Sequence, residues 1–245
     1  MGGPLLIAHR GGAAEAPENT LAAFSYSLAL GIRWFELDVQ VSKDGALVVI
    51  HDNSVDRTTN GTGEVGALTL EELRLLDAGA WFDSRYRGER IPTLREALDL
   101  CASEGAGVFV ELKSPHLYPG VEQKVASLLA EMWLSRAPNI WCISFDADAL
   151  GRLHELDSGL PLGQLYRSDV RDFLPDGGTV QAALPHFSLA AHYPEQQARN
   201  HKASIPVYVW TVNEATDMRQ MAELYVDGIV SDRPSLLLKT CAKPG

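Results

Sequence analysis

Residues 34–52 read WFELDVQVSKDGALVVIHD. Two apolar, β-branched arms flank Asp44-Gly45, a strong short-range hairpin signal. In the first arm Glu36 and Asp38 stand two apart, so on a strand they share one face. With Asp44 and Gly45 as the two turn residues, Lys43 pairs with Ala46 and Asp38 falls opposite His51, the Cβ atoms roughly 4.5–5.5 Å apart. That register gathers two carboxylates and an imidazole at one place. A three-residue turn would shift it and send His51 to the other face.

Outward from this hairpin the chain alternates strand and helix. On the N-terminal side, Leu5–Ala8 is a short buried strand running into His9-Arg10-Gly11-Gly12, and a helix from Leu21 to Leu30 closes on Gly31. On the C-terminal side the periodicity predicts helices over 94–103, 121–132, 147–156, 194–203, 215–225 and 234–240. It predicts strands over 108–112, 140–145, 160–166, 207–212 and 228–230, with a weaker one over 183–188. Alternation of this kind argues for a parallel sheet with helical crossovers. Eight strands result if the second hairpin arm is set aside, the number of a (β/α)8 TIM barrel. The whole chain, 1–245, is then a single TIM-barrel domain with a small insertion after His51-Asp52. The insertion, 53–91, is irregular, carries the capping-box pattern Thr69-Leu70-Glu71-Glu72, and holds Trp81, Phe82 and Tyr86 as a possible rim or lid. Gly61, Gly63 and Gly66 match G-x-G-x-x-G, but no buried strand precedes them, so a glycine-rich loop is the better reading than a dinucleotide site.

The chain has 245 residues, 46% of them hydrophobic, and a formal net charge of −11. Such a balance excludes a basic nucleic-acid surface and suits a monomer or small homo-oligomer. The three cysteines are widely spaced, with no disulfide framework or metal spacing. No stretch has the length and apolarity of a membrane helix, and the N-terminus lacks a signal-peptide pattern. The expectation is a cytoplasmic protein with no integral membrane segment.

In such a barrel the active site lies at the carboxyl ends of the strands. This chain places His9 and Arg10 at the end of the first, Glu36 and Asp38 on the second with His51 returning beside them, Glu111 and Lys113 on the third, and Trp210 on the seventh. A core does not bury so many charges without partners. Three carboxylates without cysteine suit a hard divalent cation, Mg²⁺ or Ca²⁺. Arg10 and Lys113 suit an anionic substrate, phosphate above all. Two histidines suit general acid and base work. Together these residues read as hydrolysis of a phosphate ester. Each also has a plainer reading. Glu36 and Asp38 could serve only as ion-pair partners of Arg10 and Lys113, His51 as a core histidine, Trp210 as packing rather than a substrate platform, and Lys113 as a Schiff-base lysine.

Taken together, the motifs His-Arg-Gly-Gly (9–12), Pro-Glu-Asn-Thr (17–20), Glu-Leu-Asp-Val (36–39), Lys-Asp-Gly (43–45), His-Asp (51–52), Glu-Leu-Lys (111–113), Trp-Thr-Val-Asn (210–213) and Val-Asp-Gly-Ile-Val-Ser-Asp-Arg-Pro (226–234) resemble the glycerophosphodiester phosphodiesterase family in order and spacing. The resemblance implies a TIM barrel. It implies metal-dependent hydrolysis of small-molecule glycerophosphodiesters, such as glycerophosphocholine and glycerophosphoethanolamine, to sn-glycerol 3-phosphate and an alcohol. By the same resemblance His9 and His51 are the acid/base pair, Glu36, Asp38 and Glu111 bind Mg²⁺ or Ca²⁺, and Arg10 and Lys113 contact phosphate. Similarity of the family to phosphatidylinositol-specific phospholipases C suggests attack by the glycerol 2-hydroxyl through a cyclic phosphate. Two other functions compete: a lysophospholipase D-like enzyme acting on lysolipids, and a non-catalytic phosphate-ester binding barrel. The stretch 171–192 matches nothing in the family pattern well.

Overall fold

The computed structural model describes residues 3–133, 139–167, 178–193, 195 and 200–242. Its strands are β1 (Leu5–His9), β2 (Trp34–Val41), β3 (Leu47–Val49), β4 (Gly107–Leu112), β5 (Ile140–Ser144), β6 (Leu162–Tyr166), β7 (Ala182–Pro185), β8 (Tyr208–Val209) and β9 (Gly228–Ser231). The helices among the described residues are α1 (Leu21–Leu30), α2 (Leu70–Leu75), α3 (Leu94–Ser103), α4 (Val121–Trp133), α5 (Ala147–Leu156), α6 (Phe187–His192), α7 (Ala215–Glu223) and α8 (Pro234–Cys241).

Every neighbouring pair in the order β7-β6-β5-β4-β2-β1-β9-β8 is parallel. Two isolated parallel bridges, Ala183 with Val207 and His186 with Trp210, join β7 to β8 and complete the ring. Eight strands thus form the expected barrel, and β3 lies outside it, paired antiparallel to β2. Alternation along the strands separates two environments. On β2, Phe35, Leu37, Val39 and Val41 pack outward under the helices with Phe24, Leu94 and Leu98. The interior is filled below the mouth by Ile7, Phe109, Ile143, Leu165, Leu184, Tyr208, Trp210 and Val230. Phe109 lies at its centre, with ring centroids 4.9 Å from Tyr208, 5.4 Å from Trp34 and 6.0 Å from Trp141. This aromatic plug leaves only the upper end of the barrel open to chemistry.

The helix ends follow their local signals. Thr20 caps α1 by accepting from the Ala23 N–H, and Gly31 ends it in the left-handed region. Thr69 and Glu72 form the predicted capping box of α2, and Thr93 and Glu96 form a second at α3. Between Asn53 and Ile91 a small apolar cluster of Val55, Val65, Leu73, Ala78 and Ile91 packs on Val48 and Ile50 of the returning hairpin arm.

Three expectations need correction. The hairpin register is Val39 with Val49 and Val41 with Leu47, not the two-residue arrangement. Three residues, Lys43 to Gly45, form the loop. The Ser42 hydroxyl accepts from the Ala46 N–H (2.9 Å) and donates to Asp44 (2.6 Å), while Gly45 takes φ 87°. A left-handed glycine closing a three-residue loop is a favoured hairpin geometry. Asp38 therefore lies across from Ile50, whose N–H donates to the Asp38 carbonyl (3.0 Å). The weak strand expected over 183–188 ends at Pro185, and Phe187 and Ser188 instead begin α6. Proline has no N–H for a ladder, and the His186 side chain accepts from the Ser188 N–H at the helix start. The expected strand over 207–212 is reduced to Tyr208–Val209. The helix expected over 194–203, and the first part of 171–192, lie largely outside the described residues.

Candidate active site

The barrel places His9, Arg10, Glu36, His51, Glu111, Lys113 and Trp210 around one cleft, with Asp38 fully buried beside Glu36 and Glu111. The sequence-predicted residues are all brought together. His51 arrives by a different route from the one expected. Beyond Val49 the arm leaves the ladder, and the Gln40 side-chain amide donates to the carbonyls of His51 (2.8 Å) and Asp52 (2.6 Å). Gln40 follows Glu36 and Asp38 on the inward face of β2, and it accepts from the Tyr118 hydroxyl (2.6 Å). A side-chain hook thus does what strand pairing does not.

Each histidine is backed by an aspartate. His9 Nδ1 lies 2.5 Å from Asp232, whose other oxygen accepts from Asn213 Nδ2 (2.6 Å). His51 Nδ1 lies 2.6 Å from Asp52, which also accepts from Arg57 (2.7 and 3.1 Å). A carboxylate on Nδ1 fixes the tautomer and leaves Nε2 free for substrate. His9 Nε2 indeed faces Glu36, at 3.6 Å. Burial lowers the His51 pKa, as do Arg10 and Lys113, against the opposing pull of Asp38 and Asp52. His51 is therefore held neutral at physiological pH, the form of a proton acceptor.

Glu36, Asp38 and Glu111 offer oxygens within 4.8 Å of one another, all three residues buried. Burial, then the charge of Asp38, raises the Glu111 carboxyl to about 7, and burial with Asp38 and Glu111 raises that of Glu36 well above the ordinary range. Burial works against ionised Asp38 as well, but Arg10, Lys113 and the two histidines outweigh it and keep its pKa low. Ion pairing alone does not satisfy the cluster. Lys113 Nζ bonds Glu111 (2.8 Å) but stands 3.7 Å from Asp38. Arg10 Nε is 3.2 Å from Asp38 Oδ2, at ion-pair range but without the alignment of a hydrogen bond. Glu36 Oε1 and Asp38 Oδ1 are buried with no hydrogen-bond partner. Two such oxygens converging in a carboxylate trio fit an oxygen-seeking cation. Burial opposes the charge of Lys113, yet Glu111 and Asp38 raise its pKa. A lysine held protonated in this way is a poor Schiff-base nucleophile.

The sequence reading assigned no role to several residues that hold this arrangement. Asn19 donates to Asp38 Oδ2 (2.8 Å). Glu18 bridges Arg10 (3.0 Å) and Arg57 (2.8 and 2.8 Å). Arg10 (φ 51°), Asn19 (φ 59°) and Ser114 (φ 45°) all take left-handed backbone, a strain that such sites retain when their surroundings enforce it. For Arg10 it aims the backbone N–H at Glu36 (3.1 Å). The signals for Glu18, Asn19, Asp52 and Asp232 were present: each lies in a motif, one beside His51 and one at a strand end. Arg167, which also lines the cleft, stands in no motif.

A profile of the Glycerophosphoryl diester phosphodiesterase family matches residues 9–236. The chain belongs to that family. It is similar to the glycerophosphodiester phosphodiesterase of Caldanaerobacter subterraneus subsp. tengcongensis, with 39% identity over 98% of this chain and 99% of the relative. With the glycerophosphodiester phosphodiesterase of Bacillus subtilis it shares 32% identity over 96% of this chain and 85% of the relative. Among solved structures it is similar to an Oleispira antarctica phosphodiesterase in complex with the product sn-glycerol-3-phosphate (30% identity, TM-score 0.87, covering 97% of this chain and 96% of that one). The glycerophosphodiester phosphodiesterase of Agrobacterium tumefaciens gives 32% identity and a TM-score of 0.80, over 96% and 99%. Glycerophosphodiester phosphodiesterases are phosphodiester hydrolases, and this one keeps the family's barrel.

Proposed function

We propose that the enzyme hydrolyses small glycerophosphodiesters, such as glycerophosphocholine and glycerophosphoethanolamine, to sn-glycerol 3-phosphate and an alcohol. In this reading the reaction depends on Mg²⁺ or Ca²⁺ held by Glu36, Asp38 and Glu111. The observation that carries it is the meeting, in one cleft, of two aspartate-backed histidines, an unsatisfied carboxylate trio and two cations. A bound divalent cation would supply charge neutralisation for the phosphoryl oxygens. Arg10 and Lys113, both firmly protonated, hold the phosphate over the trio. In a first step His51, held neutral, takes a proton at Nε2 from the attacking glycerol 2-hydroxyl while His9, oriented by Asp232, gives a proton from Nε2 to the leaving alkoxide, which leaves a cyclic phosphate. Water then opens the cyclic ester to sn-glycerol 3-phosphate with the two histidines in exchanged roles. Trp210 spends its indole N–H on the Leu184 carbonyl (2.7 Å), so it serves the substrate as an apolar wall and not as a hydrogen-bond donor.

The test is release of sn-glycerol 3-phosphate from a panel of glycerophosphodiesters, before and after EDTA and after restoring Mg²⁺ or Ca²⁺. Activity should vanish with EDTA and return with one of the cations. Full activity in EDTA would remove the metal from this reading, and no release from any diester would remove the reading itself.

A further inference from the structure

The wall of the cleft opposite the histidines carries a cation that neither the acid/base pair nor the carboxylate trio employs. Arg167 follows β6, is exposed, and lines the same cleft as His9, Arg10 and Lys113. Its guanidinium lies 4.9 Å from the ring centroid of Trp210 and 5.9 Å from that of Phe145. Those two rings meet edge to face at 5.3 Å, forming an aromatic corner, and Phe145 is 42% exposed. Lys113 Nζ lies 6.0 Å from the same Phe145 ring. Among the described residues no carboxylate stands within ion-pair range of Arg167.

An aromatic corner at the edge of a phosphodiester site is the feature that would receive a quaternary ammonium group by cation–π attraction. Here the chain's own cations already sit on it. A cationic leaving alcohol entering this wall meets aromatic faces that are taken and two like charges beside them. An anionic or polyhydroxylic one meets a guanidinium whose N–H groups have no hydrogen-bond partner among the described residues and suit oxyanions and hydroxyls. The trio of carboxylates lies on the opposite strands, at the base of the cleft, where its charge is engaged by Arg10, Lys113 and any bound cation.

We propose that Arg167, seated on Trp210 and Phe145, is a specificity-determining residue that selects diesters with an anionic or neutral polyol leaving group over those with a cationic one. This rests on the reading of the cleft as a glycerophosphodiesterase site and names its preferred substrate class. The preferred class includes glycerophosphoglycerol and, more strongly, bis(glycerophospho)glycerol, whose leaving alcohol itself carries a phosphodiester. Glycerophosphocholine stands at the disfavoured end.

The experiment compares kcat/KM for these three diesters in the wild type, Arg167→Gln and Arg167→Glu, with Tm recorded for each. An exposed charge pair contributes at most about 1 kcal/mol, or roughly fivefold. Removing the charge should therefore shift the ratio of bis(glycerophospho)glycerol to glycerophosphocholine by about fivefold toward choline. Reversal in Arg167→Glu should shift it further in the same direction, and added salt should erode the wild-type preference. Equal losses on all three substrates would overturn the proposal, because Arg167 would then serve the shared glycerophosphate. An unchanged ratio would overturn it too. A wild type inactive on every diester would be a failure of the underlying functional reading, and it is seen before any variant is made.

Discussion

Each histidine lining the cleft has its Nδ1 engaged by an aspartate, which fixes the tautomer and orientation of the ring. His9→Ala or His51→Ala should lower kcat by about 100- to 10,000-fold, the usual worth of a positioned acid or base. Asp232→Asn should also lower kcat while leaving KM near its wild-type value, because the proposed phosphate contacts at Arg10 and Lys113 are untouched. Steady-state kinetics on one glycerophosphodiester checks both, and an Asp232→Asn enzyme with wild-type kcat would deny Asp232 its orienting role. His9, the carboxylate trio and the two cations were legible in the sequence because strand periodicity and barrel topology send them to one end, whereas His51 reaches it by the Gln40 hook and not by the expected register. Their supports lay in motifs but without a role. Asp52 and Asp232 gain one only when the fold brings them against imidazoles, and Glu18 only when Arg57 comes back from 39 positions away. Arg167 carried no local mark at all.

At the level of elements, the capped helices α1, α3 and α5 were legible to the residue. Thr20 and Gly31 bound α1, and Ala147 and Leu156 bound α5, since a cap is a contact between near neighbours in sequence. The hairpin was legible as a hairpin but not in register. Asp44-Gly45 fits both a two- and a three-residue loop, and the choice is made by the Ser42 hydroxyl and by Asp44 accepting from the Leu70 N–H (3.0 Å), a tertiary contact. The segment after His51 is tied to the barrel by Arg57, which joins Asp52 to Glu18. Arg57 and His51 depress the Asp52 carboxyl from 3.8 to about 2, against a smaller cost of burial. A carboxyl depressed on folding stabilises the fold above its unfolded pKa, and that contribution is lost as pH falls through the folded value. Asp52→Asn should therefore lower Tm by a constant amount above pH 3.8, with the gap from wild type closing as pH approaches about 2. Thermal melts of both proteins across that range decide it, and a gap that widens on acidification would contradict the assignment.

For the molecule as a whole, the eight-strand count came from setting one arm of the hairpin aside, and the barrel order bears that out. Chain alternation is enough to specify a barrel because right-handed crossovers leave few other ways to close a parallel sheet. The interior was less legible, since Trp34, Phe109, Trp141 and Tyr208 come from four separate strands and meet only on closure. Phe109→Ala would open a cavity at their centre and should cost about 3–5 kcal/mol, measurable by urea denaturation. A cost below 1 kcal/mol would mean that the neighbouring rings collapse into the space. One further consequence follows from β3 lying outside the ring. His9 is carried by the barrel itself, but His51 hangs from an arm held by Gln40, Arg57 and the small cluster around Val55. The two histidines of the proposed acid/base pair thus belong to differently held parts of the chain, and such parts open at different free energies. Under the proposed function, an arm that undocked before the barrel unfolded would leave Arg10 and Lys113 in place for the phosphate and take His51 away from it. Catalytic competence would then be a docking equilibrium laid on top of a folding one.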